Sequence, residues 1–219
     1  MGLAAAAPVV LSRNGERGVD RQAELARELH RISAIRFGDF VLKDGSHSPF
    51  YVDLRVLIGH PGVLRRVARA LLSCARRIQY DCLAGIPYAG LPLGVAMSLE
   101  SGRPLVFPRK EAKSYGTQRQ VEGVFTAGDR ALVVDDVVTS GGAKLEAIAP
   151  LRAAGLVVED IVVVVDREQS GTPALAAAGL RLHSVFTISV LLEHLRVAGA
   201  ISKHDAERAS AFLRGRVSA

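Results

Sequence analysis

The chain has no tryptophan, two cysteines, and aromatic residues at only 5% of its 219 positions. So few aromatics argue against an aromatic-rich β-sandwich and favour alternating strands and helices. Cys74 and Cys82 stand apart, without metal-ligand spacing, and read as buried reduced thiols of a cytoplasmic protein. No run of about eighteen apolar residues occurs, so no membrane span is expected. The opening MGLAAAAPVV lacks the basic start of a signal peptide, and Ala6 stands where myristoylation wants Ser or Thr. Neither a G-x-x-x-x-G-K-[ST] loop nor a G-x-G-x-x-G fingerprint is present, which argues against a Walker-type or Rossmann-type nucleotide site. There are no repeats and no internal linker.

What remains is a chain that is 49% hydrophobic with a net charge of +6. That balance suits a compact domain with an anionic partner, either nucleic acid or a pyrophosphate-bearing small molecule. Basic and aromatic residues do not interleave, which argues against nucleic acid. Residues 1–18 read as a disordered lead-in and 19–219 as one domain. Helical periodicity begins at Asp20 as N-cap, with Leu25, Leu29 and Ile32 on one face. Phe37–Leu42 and Phe50–Leu54 read as strands joined by KDGSHSP. Pro61 opens a helix with Val63, Val67, Leu71, Cys74 and Ile78 as its stripe. DCLAGIP is a short buried strand, 91–101 a helix and PLVFPR a strand. Residues 109–121 have neither period and read as a mobile loop. Strand 131–135, helix 142–154 and strand 158–165 repeat the βαβ plan, and RLHSVFTIS adds a strand before helices at 189–197 and 203–214. The expected fold class is α/β, a central parallel sheet flanked by helices, with ligands at the strand C-termini.

The most informative stretch is ALVVDDVVTSGGA, Ala131 to Ala143. A buried strand ends in Asp135 and Asp136, a hydroxyl- and glycine-rich turn follows, and a helix begins. Carboxylates at such a tip can accept hydrogen bonds from sugar hydroxyls, while the turn and helix N-terminus suit a phosphate. With FVLKDGSHSPFYVDLR at 40–55, GIPYAGLPL at 85–93, RKEAKSYGTQRQVEG at 109–123 and VVDREQSG at 164–171, it resembles the orotate phosphoribosyltransferases of the type I phosphoribosyltransferase family. The resemblance runs from about Leu25 to Leu195, and its wording is nearest to the orotate phosphoribosyltransferase part of the UMP synthases.

The resemblance implies transfer of the 5-phosphoribosyl group from phosphoribosyl pyrophosphate (PRPP) to orotate, giving orotidine 5′-monophosphate and pyrophosphate in pyrimidine synthesis. It implies Mg2+ as cofactor, held chiefly by PRPP oxygens rather than by protein ligands. Asp135 and Asp136 would take the ribose, the backbone of Thr139, Ser140, Gly141, Gly142 and Ala143 would wrap the 5′-phosphate, and Val137 and Val138 between them would belong to the same PRPP-binding stretch. A side chain at Gly141 or Gly142 would then block the phosphate's approach. Arg109, Lys110, Lys113 and Tyr88 would meet the pyrophosphate, with Lys113 as the main catalytic lysine beside Arg109, Asp135 and Asp136. Lys43, Phe50, Tyr51, Thr139 and Arg167 would hold orotate. A small hood, largely from 20–60, would cover the sheet edge. The basic loop 109–121, hinged at Gly116 and Gly123, would close over the neighbouring subunit's site in a homodimer.

Two positions depart from the pattern of many bacterial members. Ala89 replaces a lysine after the PY motif, and Tyr115 replaces a histidine in the loop; both changes also occur in the UMP synthase type. None of the six histidines has an acid–base partner evident from the sequence. The alternatives are transfer to another base, against which Lys43 and Arg167 argue, and a PRPP-binding regulator that contacts nucleic acid. No lysine–aspartate decarboxylase signature is present, which leaves open a fused or separate orotidine 5′-monophosphate decarboxylase.

Overall fold

The computed structural model describes residues 15–41, 45–110, 120–169 and 171–217. Helix α1 (Gly15–Arg31) leads into a hairpin of β1 (Ile35–Val41) and β2 (His47–Val52), which pair antiparallel as a separate two-stranded sheet. A 3₁₀ turn (Leu54–Gly59) and α2 (Pro61–Ala75) follow. The main sheet is then laid down by β3 (Cys82–Gly85), α3 (Gly90–Ser101), β4 (Leu105–Pro108), β5 (Val121–Glu122), β6 (Arg130–Val138), α4 (Gly142–Ala153), β7 (Val157–Asp166), α5 (Gly171–Ala177) and β8 (Arg181–Thr187). Helices α6 (Ile188–Val197) and α7 (Lys203–Val217) close the chain. The strand order is β5-β4-β3-β6-β7-β8, parallel except for the β4–β5 pair.

The β-branched run of β7 explains the layering. Its side chains alternate between faces, as a strand requires. Val162 and Val164 join the core built with α1, α2, α6 and α7, while Ile161 and Val163 join the core on the α4 and α5 side. A strand buried on both faces needs no polar alternation. Helix α2 starts at Pro61, whose missing N–H costs nothing there, and buries Val63, Val67, Leu71 and Ala75. Its arginines turn outward: Arg65 and Arg69 bond Glu100 of α3, and Arg66 forks onto the buried Glu28 of α1.

Several boundaries differ from the sequence reading. Helix α1 already includes Gly15, ahead of the expected Asp20 cap and inside the expected lead-in; residues 1–14 lie outside the described residues. Strand β2 stops at Val52 because the Asp53 carboxylate accepts from the Arg55 backbone N–H and starts a 3₁₀ turn. Ile78 lies past the end of α2, although it still packs on the core. Helix α5 was not expected. Strand β6 runs on to Val138 rather than ending at Asp135, because β7 stays beside it as far as Asp166.

Candidate active site

The C-terminal edge of the sheet is stepped, and the acids lie at the step. Strand β3 stays in register with β6 only to Gly85↔Val134, whereas β7 pairs onward through Asp135↔Val163 to Val138↔Asp166. Beyond the end of β3 the chain folds over, with Ile86 N–H donating to the Val134 carbonyl at 3.0 Å. Gly90 at the start of α3 rests on this strand end. A Cβ there would fall 2.3 Å from the Val134 carbonyl oxygen and 3.2 Å from Asp135 Oδ1, so only glycine allows the 86–90 loop so close.

The two acids are adjacent but differently placed. Asp135 is 2% exposed; its Oδ1 accepts from Asp136 N–H at 2.9 Å and its Oδ2 takes an ion pair from Lys144 Nζ. Burial pushes its carboxyl up to about 6, Lys144 pulls against the rise, and Asp136 adds to it. Asp136 is half-buried, and its Oδ1 accepts from Val137 N–H at 2.7 Å. Arg55, forked onto Asp53 below the hairpin, is close enough to Asp136 for that charge to help keep the guanidinium protonated, after the larger effects of Asp53 and Tyr51.

Past Val138 the loop rises from the sheet. Thr139, Ser140, Gly142 and Ala143 are exposed, while Gly141 is buried. Gly141 is the N-cap of α4, with φ of +81° and no side-chain cap, and its carbonyl receives Lys144 N–H at 3.0 Å and Leu145 N–H at 3.1 Å. The first N–H groups of a helix have no partners within it, so this uncapped start offers donors to an anion. The two loop glycines differ. Gly141 is needed for its left-handed backbone and for its fit against the Gly171 carbonyl, 3.1 Å from a would-be Cβ, while a Cβ on Gly142 meets open space. Gly171 supports the loop from below: a Cβ there would lie 2.4 Å from the Thr139 carbonyl oxygen.

At the tip of β7, Arg167 N–H donates to the Val138 carbonyl at 3.1 Å, which ties the two strand ends together. The Arg167 guanidinium is buried over the Phe50 ring, 5.2 Å from its centroid, and Phe50 is itself fully buried edge-on to Phe212. Phe50 was expected to form an aromatic wall against orotate. Its ring instead packs inside the core, and its contact with the edge runs through Arg167. Tyr51 is half-buried against Phe40, with the Arg36 guanidinium 5.5 Å from its ring centre. Lys43 lies outside the described residues. Two histidines prove to have acid partners: His47 meets Asp39 at 2.9 Å, and His183 meets Asp160 at 2.8 Å, across 8 and 23 residues of sequence.

The basic loop springs from the antiparallel pair β4–β5, where Arg109 N–H donates to the Gln120 carbonyl at 2.8 Å. Arg109 Nη1 donates to Glu122 at 2.7 Å, and Lys110 Nζ sits 4.2 Å from the Tyr88 ring centre. With Leu91 and Phe107 these four residues line an open cavity of about 510 Å3. Lys113, Tyr115, Gly116 and Arg119 fall outside the described residues. The structure thus gathers Tyr88, Arg109 and Lys110 around one cavity, and places Thr139 and Arg167 with Asp135 and Asp136 along the ends of β6 and β7. Lys144, Glu122 and Gly171 belong to this surround and were not singled out in the sequence. Lys144 alone carried a signal, as a cation in a first helical turn, where acids are favoured.

Comparison with known proteins agrees with this architecture. Residues 57–180 match the phosphoribosyl transferase domain. The chain is 42% identical over 191 residues to the uridine 5′-monophosphate synthase of Bos taurus, covering 86% of this chain and 40% of that protein. It is 41% identical over 177 residues to the orotate phosphoribosyltransferase of Cenarchaeum symbiosum, covering 79% of this chain and 88% of that protein. The solved UMP synthase of Leishmania donovani superposes with a TM-score of 0.81 at 39% identity, over 88% of this chain and 42% of that one. The chain thus spans about two fifths of the length of the UMP synthases it matches. A stepped parallel sheet, an acid pair at the step, an uncapped glycine loop beside it and these matches together place the chain in the orotate phosphoribosyltransferase family.

Proposed function

We propose that the chain transfers the 5-phosphoribosyl group of PRPP to orotate. The observation that carries this reading is the junction of a buried acid pair with an uncapped, glycine-shaped helix start at one corner of the sheet. Loop 139–143 holds the 5′-phosphate with backbone N–H groups, and the ribose lies across the 135–136 step with its hydroxyls on the carboxylates. Asp136, the more accessible acid, meets them first. The carboxylates also favour the cationic character that grows at the anomeric carbon. Arg167 sits on the orotate side, with Phe50 behind it and Phe212 edge-on to that ring, and attracts the pyrimidine carboxylate. Lys43 and Tyr51 complete that side from the hairpin, which forms the hood.

The departing pyrophosphate needs cations and the reacting carbon needs protection from water. Tyr88, Arg109 and Lys110 line the cavity where the pyrophosphate leaves, and Lys113 closes over it. Loop 109–121 reaches the neighbouring subunit of a homodimer. Val95 and Leu99, exposed one turn apart on α3, give that dimer an apolar contact. Mg2+, when bound with the substrate, would supply further positive charge for the pyrophosphate. Asp135 already holds Lys144, which suits an ion held chiefly by substrate oxygens and water. No helix among the described residues is long and apolar enough to cross a membrane. The cytoplasm is the proposed compartment. A decarboxylase, fused or separate, consumes the product.

The test is orotate consumption followed by absorbance, with PRPP and Mg2+ present or omitted and with adenine, hypoxanthine and uracil as competing bases. Turnover that needs all three components and ignores the other bases supports the reading. No turnover, or preference for a purine, overturns it.

A further inference from the structure

The Asp135–Lys144 ion pair spans the two parts of the site. Asp135 stands at the step of β6, and Lys144 is in the first turn of α4, immediately after the phosphate loop. Both side chains are largely buried, at 3% and 15% exposure, so neither is a casual surface contact. The lysine is placed against the usual preference: a helix start carries a partial positive charge, and the first turn of α4 contains no acid. Asp135 is therefore the counter-ion for this end of the helix, and the pair occupies Oδ2 while Asp136 N–H occupies Oδ1. Both oxygens of the first acid are engaged within the protein itself.

We propose that Lys144 is a positioning residue shared between Asp135 and the phosphate that binds at the start of α4. This rests on the PRPP reading given above. With the loop empty, the ammonium neutralises Asp135. A phosphate in the loop presents a larger charge beside the same helix turn, and the four-carbon stem of lysine lets its ammonium change partner. Transfer of the ammonium to the phosphate frees Asp135 Oδ2 for a ribose hydroxyl. The 5′-phosphate end of PRPP thus switches on the acid that grips its ribose, and by linkage a ribose on Asp135 strengthens the hold on phosphate.

Inorganic phosphate, as competitor of PRPP and as ligand in calorimetry, reads the lysine directly. Asp135→Asn removes the competing acid and is expected to tighten phosphate binding by about tenfold, a typical coupling between linked sites. Lys144→Met is expected to weaken it, to raise KM for PRPP more than it lowers kcat, and to abolish the gain from Asp135→Asn in the double variant. Lys144→Arg is expected to recover part of the phosphate affinity. A purely structural pair gives a different pattern: Asp135→Asn leaves phosphate affinity unchanged or lower, and that result overturns the inference. Phosphate that does not bind the wild-type protein also overturns it. If Asp135→Asn does not fold, equal phosphate affinity in wild type and Lys144→Met decides against it. Wild-type turnover of orotate, measured alongside, separates the two claims: its absence sinks the proposed function, and its presence with unresponsive phosphate binding sinks only the role of Lys144.

Discussion

Replacing Gly171 by alanine perturbs the phosphate loop while leaving every residue assigned to substrate unchanged in identity. The added Cβ would stand 2.4 Å from the Thr139 carbonyl oxygen, 2.9 Å from Val138 Cγ2 and 3.1 Å from the Thr139 carbonyl carbon. Ordinary contact begins at 3.4 Å, so the loop must lift by about 1 Å or α5 must retreat by as much. Both are backbone, with no flexible side-chain tip to move aside. Overpacking of this kind costs about 1–3 kcal/mol, which lowers Tm by roughly 3–10 °C in a chain of this size. The kinetic effect is larger in proportion. A displacement of about 1 Å at a positioning element costs on the order of 100-fold in rate, and here it should fall on kcat/KM for PRPP. Steady-state kinetics at varied PRPP, with a thermal melt on the same samples, measure both effects. Gly62→Ala in the first turn of α2 is the control, since its Cβ meets nothing within 4 Å. It should leave the kinetics unchanged and hold or slightly raise Tm. Wild-type kcat/KM in Gly171→Ala would refute the claim that this glycine sets the height of the phosphate loop.

Arg167→Ala should raise KM for orotate more than KM for PRPP, because the guanidinium lies on the Phe50 side of the edge; equal losses would remove Arg167 from the orotate side. Lys113→Ala should slow turnover by an amount worth about 2–4 kcal/mol in the barrier, and heterodimers of that variant with Asp136→Asn should regain activity if the loop acts across subunits. No regain in verified heterodimers would place the loop over its own subunit. Asp160 is raised by burial, but hydrogen bonds from His183 and Arg181 outweigh that and hold its carboxyl at about 2, against an ordinary 3.8. A depressed acid stabilises the fold above its unfolded value and loses that contribution as pH falls through its folded value. Asp160→Asn should therefore cost on the order of 2 kcal/mol near pH 7, with the gap to wild type closing between about pH 4 and 2. Denaturant melts across that range measure it, and a constant gap would contradict the assignment. Burial pushes the Cys74 and Cys82 thiols up to about 11, so the folded protein should resist a thiol reagent at pH 8 and react at both cysteines once unfolded.

The parts of this molecule that were legible in the sequence are those fixed by local pattern. The β-branched run of β7 announced a strand buried on both faces, and Pro61 with its apolar stripe announced α2. The acids, the glycine turn and the helix that follows them were readable because three elements in one short stretch must fold as strand, loop and helix start. What stayed hidden depends on contacts across the chain. Strand β6 outruns its expected end because a distant strand pairs with it. Nothing near Phe50 in sequence says that Arg167 and Phe212 will enclose its ring. His183 looked solitary until β8 was laid beside β7 and met Asp160. Helix α5 escaped notice because GTPALAA is too short and too small-sided to show a period, yet its first glycine is the floor of the phosphate loop. Lys144 was one residue beyond the motif, and its partnership with Asp135 needed the strand end and the helix start in the same frame.

The central claim is that one corner of the sheet, 135–143, holds the activated sugar. A crystal of the protein soaked with PRPP and Mg2+ tests it most directly. The account predicts the 5′-phosphate against the backbone of residues 139–143 and the ribose hydroxyls on the acid pair. Density for PRPP elsewhere, or a fully loaded crystal with that corner vacant, would contradict it.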